Sequence, residues 1–352
     1  MRMNRRRRAV GLAATVVLIL LMLSGWGYTA SRPLPAGPKK MLVVHSGETV
    51  DEVAAAVANL GLVRSGFLFR WYVTLHGDAS SLQAGTYQFA PGLNISQMVA
   101  AMVHGEVYLP VVKVTIPEGF TVVQIANRLA TAGVCSQQSF LRAEQQDKFT
   151  EPFLQQIPNN KEIRYRLEGY LFPDTYMFEK QEPARQVLNT MLQDFALHIN
   201  STVMAEIQKS GQTLPQVITI ASMVEREAEV PSERPIIASV IDNRLRLKMH
   251  LRIDSTIEYI VGYTSIVTYK DLKVPSPYNT YLHRGLPPGP ISNPGMASID
   301  AAIHPAHTNF LYYVARYDGT GRHYFATTFA QQLKNEALSQ QNYKRMLGTP
   351  SK

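Results

Sequence analysis

Two spacings of apolar residues alternate along this chain and set out most of its elements. In MLVVH (residues 41–45) and VVKVTI (111–116) the alternation is that of a strand with one buried face. Each run leads into a helical spacing, SGETVDEVAAAVANLGLV (46–63) and EGFTVVQIANRLATAGVC (118–135), with apolar positions three and four apart. Laid over one another with a shift of 72, the two stretches are identical at Gly47/Gly119, Thr49/Thr121, Val50/Val122, Ala54/Ala126, Ala58/Ala130 and Gly61/Gly133, a weak internal repeat. In each copy a threonine stands where a helix N-cap belongs, and Gly61 or Gly133 stands where the helix should end. Between the copies, LQAGTYQFAPGLNISQMVAAMVHGE predicts a strand, a turn and a further helix starting near Asn94 or Ser96.

From about Lys161 the pattern changes to longer helices separated by loops rich in Pro, Gly, Asn and Tyr, such as PSPYNTYLHRGLPPGPISNPG. A loop of that length in a compact domain is usually functional or disordered, and Tyr278 and Tyr281 argue for order. In TLPQVITIASMVEREAEVP, Thr213 and Gln216 have the spacing of a capping box, Pro215 is tolerated in the first turn, and Pro231 forbids continuation. The predicted helix runs from about Leu214 to Glu229. Leu214, Val217, Ile218, Ala221, Val224 and Ala228 form its apolar stripe, and Glu225 falls within about 20° of Leu214 and Ile218. Glu227 falls on the opposite side. A carboxyl group among apolar neighbours has its pKa raised and can stay protonated near neutral pH, as a general acid requires. The same residue could instead be a structural partner of Arg234, Arg244 or Arg246 on the next helix.

Composition adds bounds. The 352 residues are 45% hydrophobic and 18% charged, enough apolar material for two or three packed domains. The single cysteine, Cys135, excludes an internal disulfide and reads as a small packed hydrophobe. The net charge of +8 is largely local: Arg2, Arg5, Arg6, Arg7 and Arg8 supply five of the eight charges. No later stretch mixes clustered cations with stacking aromatics, which argues against nucleic acid as a partner. The arginines precede AVGLAATVVLILLMLSGWGY (9–28), 20 uncharged residues ending in Trp26 and Tyr28. That length spans a bilayer core of roughly 30 Å, with the aromatics at the interface and the cationic end retained in the cytoplasm. YTASR offers a small-residue site for the alternative, a cleaved signal peptide, but the apolar run exceeds the usual signal core. The expected order is a basic cytoplasmic tail (1–8), a transmembrane helix (9–28), a proline-stiffened linker (29–40), a region containing the repeat (41–155) and a larger domain (156–346), in an α+β protein.

The first repeat copy resembles the small peptidoglycan-binding LysM module, in which a glycine-threonine turn opens a helix between strands. The resemblance in the second half is more specific. IASMVEREAEVPSERPIIASVIDNRLRLKMHLRIDSTIEYIVG, LEGYLFPDTY (167–176), SPYNTYLHRGLPPGPISNPGMASIDAAIHPA and LYYVARYDGTGRHYFATTFAQQ occur in order and together resemble the YceG-like endolytic murein transglycosylase family. The resemblance implies an α+β catalytic domain behind a LysM-like region and a single-pass anchor in the cytoplasmic (inner) membrane, with the bulk of the chain extracytoplasmic. It makes Glu225 the catalytic residue. Ser255 departs from relatives that commonly carry a proline after the aspartate matching Asp254.

Lytic transglycosylases cleave the β-1,4 bond between N-acetylmuramic acid and N-acetylglucosamine without water, the muramyl C6 hydroxyl attacking its own anomeric carbon. That chemistry needs one acid that protonates the glycosidic oxygen and then takes the hydroxyl proton, which assigns both steps to Glu225. Tyr170, Asp174, Asp254, Tyr278, Asn279 and Tyr281 are candidates for holding the sugars, and Glu168 for a second acid. Asp174 and Asn279 could equally form turns by bonding nearby backbone. A muramidase that hydrolyses with Glu225 plus Glu168 or Asp254, and a silent glycan-binding scaffold, are the alternatives. Implied partners are glycan strands, the membrane and penicillin-binding synthases. No metal or cofactor is expected: His304 and His307 in HPAH lack a third ligand, and GLPPGP lacks the context of a phosphate loop.

Overall fold

The computed structural model describes residues 32–262 and 267–348. The apolar segment 9–28 lies outside the described residues, and among those described no helix is long and apolar enough to cross a membrane. The chain divides after Pro110 into two compact units.

In the smaller unit β1 (Lys40–Val44) pairs antiparallel with β2 (Gly85–Phe89), Lys40 opposite Phe89 and Val44 opposite Gly85. Three helices accompany this hairpin, α1 (Val50–Asn59), α2 (Gly66–Leu75) and α3 (Ile95–His104). Thr49 caps α1 in a reciprocal capping box with Glu52, and Asn94 caps α3 with Gln97. Leu42, Val53, Val57, Phe69, Tyr87, Met98 and Met102 form the core. The Tyr87 hydroxyl, at the end of a buried ring, donates to the Gln83 and Met102 carbonyls.

The larger unit begins where the second repeat copy begins, not at the expected 155/156 boundary. β3 (Val111–Thr115) pairs antiparallel with β4 (Thr175–Glu179), so its partner strand lies beyond that boundary. α4 (Val122–Thr131), with the Thr121 cap that its sequence predicts and a capping box completed by Gln124, packs on α5 (Gln137–Gln146). Val122, Ile125, Leu129 and Phe140 join the same core as the helices that follow. Each such side chain contributes about 1.5–3 kcal/mol by burial, which binds this copy to the larger unit.

Next come α6 (Ala184–His198), α7 (Ser201–Lys209) and α8 (Leu214–Glu227). α8 has the predicted capping box of Thr213 with Gln216. It stops two residues short of the predicted end because Ala228 is already extended on the approach to Pro231. All six residues of the predicted stripe are buried, and so are Ile220 and Met223, since this helix is enclosed by its neighbours. α9 (Arg234–Arg246), α10 (Asp254–Val261) and α11 (Met296–Ile303) pack against it. A hairpin of β5 (Tyr312–Ala315) and β6 (His323–Ala326) and the helix α12 (Phe329–Met346) close the unit.

Candidate active site

Glu225 occupies the last turn of α8, where the helix leaves the core and meets the first turns of α9 and α11. Its side chain is 7% exposed and that of Arg234 is 12% exposed. Arg234 Nη2 donates to Glu225 Oε1 at 3.4 Å, and the Gly295 backbone N–H, at the N-cap of α11, donates to Oε2 at 3.2 Å. Arg234 is held in turn by its Nε bond to Ser298 Oγ at 3.0 Å. The carboxylate therefore meets a guanidinium and a helix N-terminus rather than the purely apolar surround that the stripe predicts. The pattern places the Cβ correctly, but it carries no record of which polar groups two other helices bring to the same point.

Glu118, in the segment between β3 and α4, stands beside this pair and is absent from the residues that sequence singles out. A Cβ built on Gly295 would lie 1.8 Å from Glu118 Oε1, so the carboxylate rests against a backbone bare of side chain. A Cβ on Gly119 would lie 3.5 Å from Glu225 Cγ. Partial burial pushes the Glu118 carboxyl above its ordinary value, the neighbouring charge of Glu225 pushes the same way, and Arg234 opposes both. The only sequence signal for Glu118 is its place at the head of the second repeat copy, which speaks of turn geometry and not of acid chemistry.

Asn293 ties the segments that carry these groups. Its backbone exchanges N–H···O bonds with Gly119 and Phe120 at 2.8 Å each. Its side-chain Nδ2 donates to Phe120 O (2.8 Å) and Glu168 Oε1 (3.0 Å), while Oδ1 accepts from Gly169 and Leu171 N–H at 2.9 Å each. Glu168 is 0% exposed and also accepts from Val122 N–H and Tyr259 Oη. Burial pushes its carboxyl up to about 8. It is thus an internal brace below the site, not a second acid that reaches a sugar.

This brace has a pH signature. An acid whose pKa is raised on folding binds more protons folded than unfolded, so stability falls as pH rises from the unfolded value near 4.5 to about 8, and the penalty is complete above that. Glu168→Gln keeps an acceptor for Val122 and Asn293 and offers an N–H to Tyr259. Relative to the parent, the variant should gain nothing below pH 4.5 and a few kcal/mol by pH 9. Urea unfolding at pH 4.5, 7 and 9 measures this, and a pH-independent difference would refute the assignment.

Of the other candidates, Tyr170 packs on Phe153 and Phe195, and Tyr278 on Tyr259, with its hydroxyl accepting from Arg164 N–H. Both are buried core residues. Asn279 is also buried and bonds the Leu272 and Val274 carbonyls, and exposed Asp174 accepts from Thr175 N–H, so each shapes a turn. His304 bonds Asp300, and among the described residues no cluster suits a metal.

Asp254 and Tyr281 come together, the phenol donating to Asp254 Oδ1. With Glu227, Arg244, Arg252 and Tyr313 they line a cavity of about 870 Å³. Glu227 accepts from Tyr313 Oη (3.1 Å) and from Ser255 N–H (3.4 Å), the latter a bond that a proline at 255 could not make. Burial, then the Asp254 charge, pushes the Glu227 carboxyl upward. Lys248, Arg252 and Tyr317 on the lining have φ of 54°, 47° and 51°, and left-handed backbone in non-glycine residues collects at functional sites. The last turn of α8 thus turns Glu225 to one side and Glu227 to the other.

A family model described as YceG-like matches residues 42–337, most of the chain and all of the elements that carry this geometry. The chain belongs to the YceG-like family. An endolytic murein transglycosylase of Bacillus subtilis (strain 168) is 32% identical over 309 residues, spanning 85% of this chain and 83% of the relative. A protein of the same name from Streptococcus pneumoniae (strain D39) is 29% identical over 354 residues, covering 91% of this chain but 64% of the relative's length. The crystal structure of a YceG-like protein from Listeria monocytogenes superposes with a TM-score of 0.59 at 34% identity, over 84% of this chain and 98% of the other. That likeness supports the YceG-like fold described above.

Proposed function

We propose that this chain is an endolytic lytic transglycosylase of peptidoglycan, and that Glu225 is its catalytic carboxyl. The observation that carries the reading is the convergence on Glu225 of Arg234, the Gly295 N–H and Glu118 at the junction of three helices, in a member of a family whose named relatives are murein transglycosylases. In the simplest scheme Glu225 protonates the oxygen between N-acetylmuramic acid and N-acetylglucosamine, the C1–O bond breaks, and the C6 hydroxyl closes on C1 while returning its proton to Glu225. The product is a 1,6-anhydromuramyl end. Proximity supplies the nucleophile, so no activated water is needed. The guanidinium and the helix N-terminus offset negative charge each time Glu225 has given up its proton.

In this reading residues 9–28 anchor the chain in the cytoplasmic membrane with the catalytic unit outside. The smaller unit, with its LysM-like strand, turn and helix, holds glycan, and nascent strands leaving penicillin-binding synthases are the substrate. A hydrolytic muramidase is the second reading, favoured by one observation: Glu118 provides the second carboxyl that hydrolysis of a glycoside employs. Mass spectrometry of murein digested by the purified protein separates the two. Anhydromuramyl ends are expected; reducing muramyl ends alone would replace the lyase by the hydrolase.

A further inference from the structure

Among the described residues, Glu118 is a carboxyl beside Glu225 that the scheme above leaves without work. Among the described residues its carboxylate has no hydrogen-bond or ion-pair partner, although it stands against the start of α11 and beside a buried arginine pair. Glu225 differs on each count: it is nearly enclosed and accepts from both Arg234 and the Gly295 N–H. Two carboxyls at one point do not both ionise freely, and environments that differ this much give them different duties.

We propose that Glu118 is a second catalytic carboxyl, the acid that protonates the glycosidic oxygen, leaving Glu225 as the base that takes the C6 hydroxyl proton. This rests on the reading of Glu225 as catalytic and reassigns one of its two proton transfers. The step balances. The C1–O glycosidic bond breaks with its electron pair on oxygen, which takes the Glu118 proton; the C6 oxygen bonds to C1; and the C6 proton passes to Glu225. Turnover then requires only that the proton return from Glu225 to Glu118, through solvent or directly. Groups facing Glu118 favour this division, since partial burial and the Glu225 charge both hold a proton on it and Arg234, whose charge opposes them, is engaged by Glu225 and Ser298.

Two substrates test it: uncrosslinked glycan strands, and a muramyl-terminated tetrasaccharide carrying 4-methylumbelliferone, a leaving group that needs no proton. Glu118→Gln should lose about 100-fold or more in kcat/KM on strands. It should stay within about tenfold of the parent on the aryl glycoside, because only the acid has been removed. Its residual activity on strands should also lack the fall at alkaline pH that marks deprotonation of an acid. Gly295→Ala, whose new Cβ must push the Glu118 carboxylate aside, should follow the same split without loss of fold. Equal losses of Glu118→Gln on both substrates, or strand cleavage within threefold of the parent, would overturn the proposal. Glu225→Gln should be inactive on both substrates; strand cleavage by that variant would instead remove the reading on which the proposal rests.

Discussion

Glu225→Gln is expected to lose about a thousandfold or more of murein-cleaving activity while remaining folded, the size of effect that follows loss of an acid-base group. The substitution is nearly isosteric, and the side-chain carbonyl still accepts from the Gly295 N–H. What it cannot do is exchange a proton or carry charge opposite Arg234. Because Glu225 and Arg234 are 7% and 12% exposed, the loss of the ion pair is weakly screened. Arg234 keeps its bond to Ser298, so a stability loss of about 1–3 kcal/mol is expected, below the 3–5 kcal/mol of a wholly unpaired buried charge. Circular dichroism and a melting curve check the fold, release of muropeptides from purified murein checks activity, and cosedimentation with murein checks binding. Retained binding with lost cleavage excludes the silent scaffold. Cleavage within tenfold of the parent would remove Glu225 from the chemistry.

The elements around the site were legible wherever their cause is local. Thr213 forms the capping box that its sequence predicts, and Thr49 and Thr121 are the N-caps that theirs predict, because a cap is settled within four residues. The register of α8 was legible for the same reason, and with it the direction of Glu225. Pairings across long stretches of chain left no such trace. β3 finds β4 far along the sequence, which moves the unit boundary to Pro110 although the second repeat copy looks like the first.

Aromatic and turn-forming residues in motif-like segments were ambiguous in a different way. A tyrosine that could stack on a sugar is equally suited to a core, and Tyr170 and Tyr278 went to the core because Phe153, Phe195 and Tyr259 enclose them. Asp254 and Tyr281, by contrast, do face a cavity, one also lined by Glu227, which lay on the face of α8 that periodicity assigns to solvent. Glu118 was invisible for a simpler reason. Its significance comes entirely from Glu225 and Gly295, and neither is near it in sequence.

Asn293→Ala is expected to cost the most stability of any single substitution around the site, about 3–5 kcal/mol. The residue is fully buried, and its side chain serves four partners. Phe120 O keeps the Asn293 backbone N–H, but the Gly169 and Leu171 N–H groups lose their acceptor where water has no access, and each orphaned donor costs about 1–3 kcal/mol. Glu168 loses a donor as well. Asn293→Asp should be milder at low pH and worsen as pH rises, since the new carboxyl keeps the acceptor for Gly169 and Leu171 but faces Glu168 Oε1. Activity should fall further than the folded fraction explains, because the same residue fixes the approach of the Glu118 segment to Gly295. Urea titration of the variant at pH 6, with strand cleavage measured well below its unfolding midpoint, separates the two effects. A stability loss under about 1 kcal/mol would show that solvent or rearranged backbone replaces the lost acceptor, and the brace below the active site would then be looser than its hydrogen bonds indicate.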